Sequence, residues 1–255
     1  MKIYTVANQK GGVCKTTTAH LLATGLMHTG AKVLAVDCDP QTNFSFISGI
    51  INAQATLYDL FTEELQPEEV IVKAKPGFDI IPGSTKLLGA DNTFKGFSQL
   101  RRILQPLSAK YDYIVIDTPP NLGTLLFNAM ATSNSVIVPM YADALSMQGL
   151  AQLTEAIKTV QEAPVSNGGN PYLRLEGVLL SRHSDRTNLS RDIKEGLESI
   201  TKNLGTKLFK TTIREAVAIK EVQFNQGDLY KDFPKAKVTE DCRAFIKELT
   251  GRKVK

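Results

Sequence analysis

The sequence predicts an α/β fold: three layers, in which a mostly parallel, twisted sheet carries helices on both faces. Three observations point to it. Short β-branched apolar runs alternate with longer stretches whose apolar residues recur at helical spacing. Residues 8–18 set two glycines and two lysines between the first apolar run and the first helix. Two later apolar runs each lead directly into acidic residues.

Taken in order, the strand candidates are Ile3–Ala7, Val33–Val36, Phe78–Ile81, Tyr113–Ile116, Ser135–Pro139 and Leu175–Leu180. They read as near-continuous apolar runs, as strands covered on both faces do. The helix candidates between them are Thr16–His28, Gly96–Leu107, Leu122–Thr132, Met147–Gln161 and Leu189–Asn203. Thr239–Leu249 reads as a packed closing helix. The run Ala163–Pro171 is rich in turn formers and is expected to be an exposed connection. A single domain over residues 1–250 is expected, with 251–255 as a frayed basic tail.

The 255 residues, 42% of them apolar, suffice for one substantial core. No apolar run is long enough to span a bilayer, and the N-terminus enters a strand pattern rather than a signal peptide, so a soluble, cytoplasmic protein is expected. Cys14, Cys38 and Cys242 lack the paired spacing of a zinc, iron–sulfur or disulfide framework. Of the 30 Lys and Arg residues, 18 lie from Arg174 onward, against 12 of the 26 acids. That basic third is either an ordinary solvated surface or a surface for a polyanion such as DNA.

The chemistry is concentrated in Asn-Gln-Lys-Gly-Gly-Val-Cys-Lys-Thr-Thr-Thr, residues 8–18. The general phosphate-loop pattern G-x-x-x-x-G-K-[ST] fails at both glycines, because Gln9 and Cys14 occupy those positions. The physical arrangement survives. Gly11 and Gly12 allow a tight turn close to phosphate oxygens, and the backbone from Gly11 through Val13, Cys14, Lys15, Thr16 and Thr17 leads into a helix N-terminus. Lys15 is placed to neutralise β- and γ-phosphates, and Thr16 to ligate Mg2+. Asp37 and Asp39 follow the second strand and Asp117 follows the fourth. In a parallel sheet these acids emerge on the phosphate-loop edge, where they can hold the ion through water or orient an attacking water. The expected cofactors are therefore ATP and Mg2+, on a P-loop NTPase sheet.

KGGVCKTT, DCDPQ and IVIDTPP together resemble the deviant Walker-A ATPases, and Lys2 to about Leu249 resembles the short ParA/Soj branch of DNA-partition ATPases. Leu145–Leu153, Glu176–Leu180, Asp185–Leu189 and Phe209–Ile213 carry the likeness further. The resemblance implies a weak, partner-stimulated ATPase that dimerises around two ATP molecules, Lys10 of each subunit reaching the phosphates held by the other. It implies that Asp39 positions water, that loss of Asp39 stops hydrolysis, and that Asp117 supports Mg2+. It also implies ATP-dependent, non-specific DNA binding on the nucleoid and a ParB-like centromere-binding partner. The sequence starts at its first strand, so no helix-turn-helix extension and no operator recognition are expected.

Two features depart from the family. Cys14 replaces the glycine before Lys15, either as a tolerated small residue or as a reactive one. In Ile213–Glu221, Arg214 and Glu215 replace a Pro-Arg pair and Ala218 stands at a DNA-contacting arginine, so adenine contacts do not carry over. For DNA, Arg186 matches a family arginine, while Arg214 and Lys220 are neighbouring cations that can substitute. A MinD-like membrane-positioning ATPase is the alternative, but acids interrupt the basic face of Thr239–Leu249 and no stable membrane association is expected. Iron–sulfur carriers and tyrosine kinases of the superfamily are set aside for want of paired cysteines and a tyrosine-rich tail.

Overall fold

The computed structural model describes residues 1–255 except 64, 91–93, 95, 183–187 and 255, and only the backbone at 144–146 and 188–191. Its centre is a seven-stranded sheet in the order β3-β4-β2-β5-β1-β6-β7. The strands are β1 (Lys2–Val6), β2 (Val33–Asp37), β3 (Val72–Lys73), β4 (Asp79–Ile81), β5 (Tyr113–Asp117), β6 (Ser135–Met140) and β7 (Arg174–Leu180). All neighbours are parallel except the edge pair β3 and β4. The six expected strands are present to within a residue or so at each end. The two-residue β3 was not anticipated, being too short to show a period.

Side chains alternate across this sheet, so each central strand feeds two cores. Tyr4, Val33, Ala35, Tyr113 and Val115 face one, packed with helix α1 (Lys15–Met27) and the closing helix Lys237–Thr250. Ile3, Leu34, Val36, Ile114 and Ile116 face the other, with Leu57–Thr62 and Gln99–Leu104 above them. A third apolar cluster joins Val136 and Val138 of β6 to Met130, Leu150 and Leu153. Helices thus lie on both faces, as expected.

Several helices differ from expectation. Gly96–Leu107 contracts to Gln99–Leu104, followed by a 3-10 turn over Gln105–Ala109. Gly96 has φ +83°, outside the helical region, and Pro106 brings no N–H to continue the ladder. Asn43–Ile47 (α2), Leu57–Thr62, Pro67–Val70 and Leu229–Asp232 are too short for periodicity to reveal. The Ala163–Pro171 connection is exposed at 164–167 but buried at Gly168 and Gly169, where the Arg101 guanidinium donates to the Gly169 carbonyl at 2.9 Å. The expected tail does not simply fray: Val254 packs partly buried against the first core, and the Arg252 guanidinium lies 5.3 Å over the Tyr113 ring.

Candidate functional site

Parallel pairing sets the site. Register aligns Val6 with Asp117 and Asp37 with Asp117, so β1, β2 and β5 end level on one edge. The loop leaving β1 is anchored first by Asn8. Its Nδ2 donates to the Pro139 carbonyl at 2.8 Å, and its Oδ1 accepts from the Lys10 N–H at 2.9 Å. Gly12 turns the chain at φ +76°, and a Cβ at Gly11 or Gly12 would meet no atom within 4 Å. The loop therefore opens onto free space that a polyphosphate can approach. Cys14 sits at the N-cap of α1 with φ +67°, a left-handed conformation that an L-residue holds under strain.

Lys15 is buried at the first turn of α1, and its Nζ donates to the Lys10 carbonyl at 3.1 Å. Burial pushes its pKa down, while Asp117 and Asp39 oppose that fall. Asp117 is wholly buried, and neither of its carboxylate oxygens makes a well-formed hydrogen bond. Burial and then the Asp37 charge raise its pKa well above the carboxylate range, although the facing Thr16 hydroxyl and the Lys15 charge work against the rise. An orphaned, desolvated carboxylate beside a lysine and a threonine hydroxyl suits an arriving cation. Among the described residues no three His, Cys, Asp or Glu side chains form a self-sufficient metal cage, so an ion here would take much of its shell from ligand oxygens and water.

The two acids after β2 have different surroundings. Asp37 accepts from the Ser45 N–H at 2.8 Å, from the Ser45 hydroxyl at 2.6 Å and from the Asp39 N–H at 3.2 Å. It ties α2 to the end of β2, and burial pushes its pKa up to about 6. A Cβ on Gly83 would lie 2.9 Å from the Asp37 carboxyl carbon, so this packing also requires a glycine. Asp39 keeps one carboxylate oxygen clear of the Gln41 N–H, which donates to the other at 2.9 Å.

Residues that the sequence reading passed over close the loop from above. Tyr141, after β6, donates its hydroxyl to the Gly12 carbonyl at 2.5 Å and lies 3.3 Å from the Cys14 sulfur. Asp143 holds the Lys10 ammonium at 2.8 Å, both side chains about one-third exposed. Arg182 stacks 5.5 Å from the Tyr141 ring. The signal for Tyr141 and Asp143 was present, since they follow a strand ending on the same edge as Asp37 and Asp117.

Thr17 accepts from the Gln223 amide at 2.8 Å, at a cavity of about 40 Å³ that Cys14, Ser181 and Glu215 also line. That is room for about one water. The buried Ser181 hydroxyl lining it has no hydrogen-bond partner among the described residues. The expected DNA cations are less free. Arg214 is forked on Asp241 at 2.6 and 2.7 Å, and Lys220 is paired with Glu215 at 3.1 Å. Arg186 lies outside the described residues.

A family model described as an AAA domain matches residues 1–168. Over 257 residues the chain is 33% identical to the sporulation initiation inhibitor protein Soj of Bacillus subtilis, covering 98% of each sequence. The chain belongs to the ParA/Soj family of partition ATPases. Solved members of this fold extend the likeness. A putative plasmid partition protein of Borrelia burgdorferi bound to AMPPNP is 28% identical, with a TM-score of 0.78 over 97% of this chain and 99% of that one. A Mycobacterium smegmatis structure described as cobyrinic acid a,c-diamide synthase with bound ADP and magnesium is 28% identical, with a TM-score of 0.82 over 99% and 97%. Family membership thus agrees with the strand-end geometry, on a P-loop sheet with the strand-to-helix loop at its nucleotide edge.

Proposed function

We propose that the chain is an ATP-dependent dimerising ATPase, using Mg2+, that binds DNA without sequence preference and partitions or positions plasmid or chromosomal DNA. The carrying observation is the division of labour between two lysines. Lys15 is buried beside Asp117 and Asp39, whereas Lys10 stands at the mouth of the loop, about one-third exposed, on Asp143. A buried lysine serves the phosphates of its own subunit, and a lysine at the rim can turn outward to a second one. The backbone N–H groups from Gly11 to Thr17 would cradle the phosphates, Thr16, Asp39 and Asp117 would hold the ion directly or through water, and the Asp39 oxygen away from the Gln41 N–H would orient the attacking water. Bound there, Mg2+ would supply charge neutralisation for the phosphates. Loss of the γ-phosphate removes what Lys10 binds across the interface, and the dimer loosens.

The solved relatives that hold AMPPNP or ADP with magnesium support this reading. DNA contact is assigned to Arg186, Arg214 and Lys220, the last two after exchange of their acidic partners for phosphates. A ParB-like centromere-binding protein is the expected stimulator of slow intrinsic turnover, and the ATP-bound form is expected on the nucleoid. The closing helix turns Val238, Cys242, Phe245, Ile246 and Leu249 into the core, so its apolar side is already used, which argues against the membrane-positioning alternative. Among the described residues no helix is long and apolar enough to cross a membrane.

The test is duplex DNA binding at low salt with ATP, with ADP and without nucleotide, beside Lys15→Ala and Arg186→Ala. ATP is expected to strengthen binding by tenfold or more, and both variants to lose that gain. An unmodified protein that binds DNA equally in all three states would refute the switch.

A further inference from the structure

Thr16 and Thr17 follow one another in the first turn of α1 and face different neighbours, because consecutive helical side chains point about 100° apart. Thr16 faces Asp117, where the ion is proposed. Thr17 faces the helix Val217–Asn225, from which the half-buried Gln223 amide donates to its hydroxyl oxygen at 2.8 Å. The small cavity beside this bond is bounded by Ser181 and Ile213, which bridge the end of β7 to the segment before that helix. Across the sheet, β2 leads to Asp39, β5 ends at Asp117, β1 leads into the phosphate loop, and β6 and β7 follow. A triphosphate whose terminal phosphate stands by Asp39 and Asp117 therefore brings its nucleoside end to the Thr17 side.

The Thr17 hydroxyl differs from those deeper in helices. Thr24, Thr154, Thr201 and Thr250 each donate to the carbonyl four residues back, at 2.8, 2.8, 2.8 and 2.7 Å. Thr17 accepts from Gln223 instead, and among the described residues its own proton has no acceptor. A hydroxyl has one proton to give and two lone pairs. With one lone pair taken by Gln223, the proton is left for a ligand oxygen, and the bond already made polarises it. The donor is fixed from both ends of its helix. Before it, the Ile213 N–H donates to the Leu180 carbonyl at 2.8 Å; within it, Val222 is buried; at its end, the Lys75 ammonium donates to the Asn225 carbonyl at 2.8 Å.

We propose that Gln223 is a positioning residue for nucleotide binding: it turns the Thr17 hydroxyl so that its proton meets the phosphate nearest the nucleoside. Gln223 acts through Thr17 and touches no phosphate itself. The inference rests on the ATP reading above and adds to it the polarity of one hydrogen bond. ADP and ATP share the phosphate concerned, so Gln223 serves both equally, unlike Lys10, which serves the γ-phosphate.

The test is titration with fluorescent ADP and with a fluorescent, slowly hydrolysed ATP analogue, both with Mg2+. It compares the unmodified protein, Gln223→Met and Gln223→Glu, each also combined with Thr17→Ala and with the conservative Thr17→Ser. Methionine keeps the length of the side chain without donor or acceptor, and it is expected to weaken both nucleotides about three- to fivefold, the order of one lost hydrogen bond. Glutamate only accepts, so Thr17 must donate to it and the proton leaves the ligand; a loss of about tenfold or more is expected. With Thr17→Ala the methionine penalty is expected to shrink below about 1.5-fold and the glutamate penalty to that of its charge alone, whereas Thr17→Ser retains both. Equal penalties with and without the hydroxyl would overturn the inference, as would a methionine penalty confined to the ATP analogue or unmodified affinity in Gln223→Glu. An unmodified protein that bound neither nucleotide would remove the ATP reading together with this inference. Normal, Lys15-dependent binding that ignored Gln223 would remove this inference alone.

Discussion

The phosphate-loop edge and the stretch from Ile213 to Lys220 make different uses of the same kind of residue. At the loop, Lys15, Thr16, Asp39 and Asp117 converge, and the charges there are buried and incompletely satisfied. At Arg214 and Lys220 the charges are exposed and satisfied, by Asp241 and Glu215. Strand topology dictates the first arrangement, because a parallel sheet must bring the ends of its strands to one edge. Nothing in the backbone dictates the second. Arg214 lies outside any helix and its partner is 27 positions away on the closing helix, and whether a surface cation is free depends on such neighbours.

The largest expected effect tests convergence at the loop. Lys15→Ala removes a buried cation aimed at both the phosphates and Asp117. Binding of a fluorescent ATP analogue is expected to weaken at least about a hundredfold, in line with the loss of a desolvated charge-assisted contact. By contrast, Arg214→Ala is expected to leave that affinity within about twofold. A comparable loss in both variants would erase the distinction between the two regions.

The next effect follows from the carboxylates. Asp37 holds its proton up to about pH 6 in the folded chain, against 3.8 ordinarily, because it is buried; Asp117 is shifted in the same direction for the same reason. Between those values the folded state binds more protons than the unfolded one. Stability is therefore greatest at low pH within this window and falls as pH rises through about 4 to 6 for Asp37, with Asp117 extending the fall upward. At ~1.4 kcal/mol per pH unit, Asp37 alone accounts for a change on the order of 3 kcal/mol. Nucleotide-free protein is expected to melt several degrees higher near pH 5 than near pH 7.5. Asp117→Asn is expected to shrink that difference and to weaken Mg2+-dependent nucleotide binding. A melting temperature that rises from pH 5 to 7.5 in the unmodified protein would show these acids to be better solvated than the geometry indicates.

The same contrast explains what was legible beforehand. Six of seven strands could be read because buried parallel strands are apolar throughout, and Asp39 and Asp117 because acids at strand ends share an edge. β3, with two residues, and Leu229–Asp232, with four, have no period to detect. Within the site, the family resemblance singled out Asp39 without a physical reason for passing over Asp37. The structure supplies one, by giving Asp37 to Ser45. The grip of Tyr141 and Asp143 on the loop spans more than 125 positions, with partners 129 and 133 residues apart, and no local pattern encodes it.

A smaller effect probes the loop's rim. Asp143 holds Lys10 in a half-solvated pair, of a kind worth about 0–1 kcal/mol. Asp143→Asn is expected to release Lys10 and to strengthen ATP-dependent self-association by up to about fivefold, measured by sedimentation with a slowly hydrolysed analogue. Weaker association would mean that Asp143 holds Lys10 in its working position rather than away from it.

The smallest expected effect concerns Cys14, where site and strain coincide. Its φ of +67° is ordinary for glycine and costs an L-residue about 1–2 kcal/mol. Cys14→Gly relieves that strain but frees the unfolded chain by about 0.5–1 kcal/mol and removes the sulfur 3.3 Å from the Tyr141 hydroxyl. The balance is a gain of up to about 1 kcal/mol, roughly 2–4 °C in melting temperature for a chain of this size. Cys14→Ala separates the two contributions, because it keeps the strain and loses only the sulfur, so it is expected to melt at or slightly below the unmodified protein. The Tyr141 hydroxyl retains the Gly12 carbonyl in both variants, which predicts nearly unchanged phosphate affinity. If glycine destabilised the protein while alanine did not, the left-handed turn would be a relaxed feature of this loop, and the departure from the family glycine would have to be explained by the thiol itself.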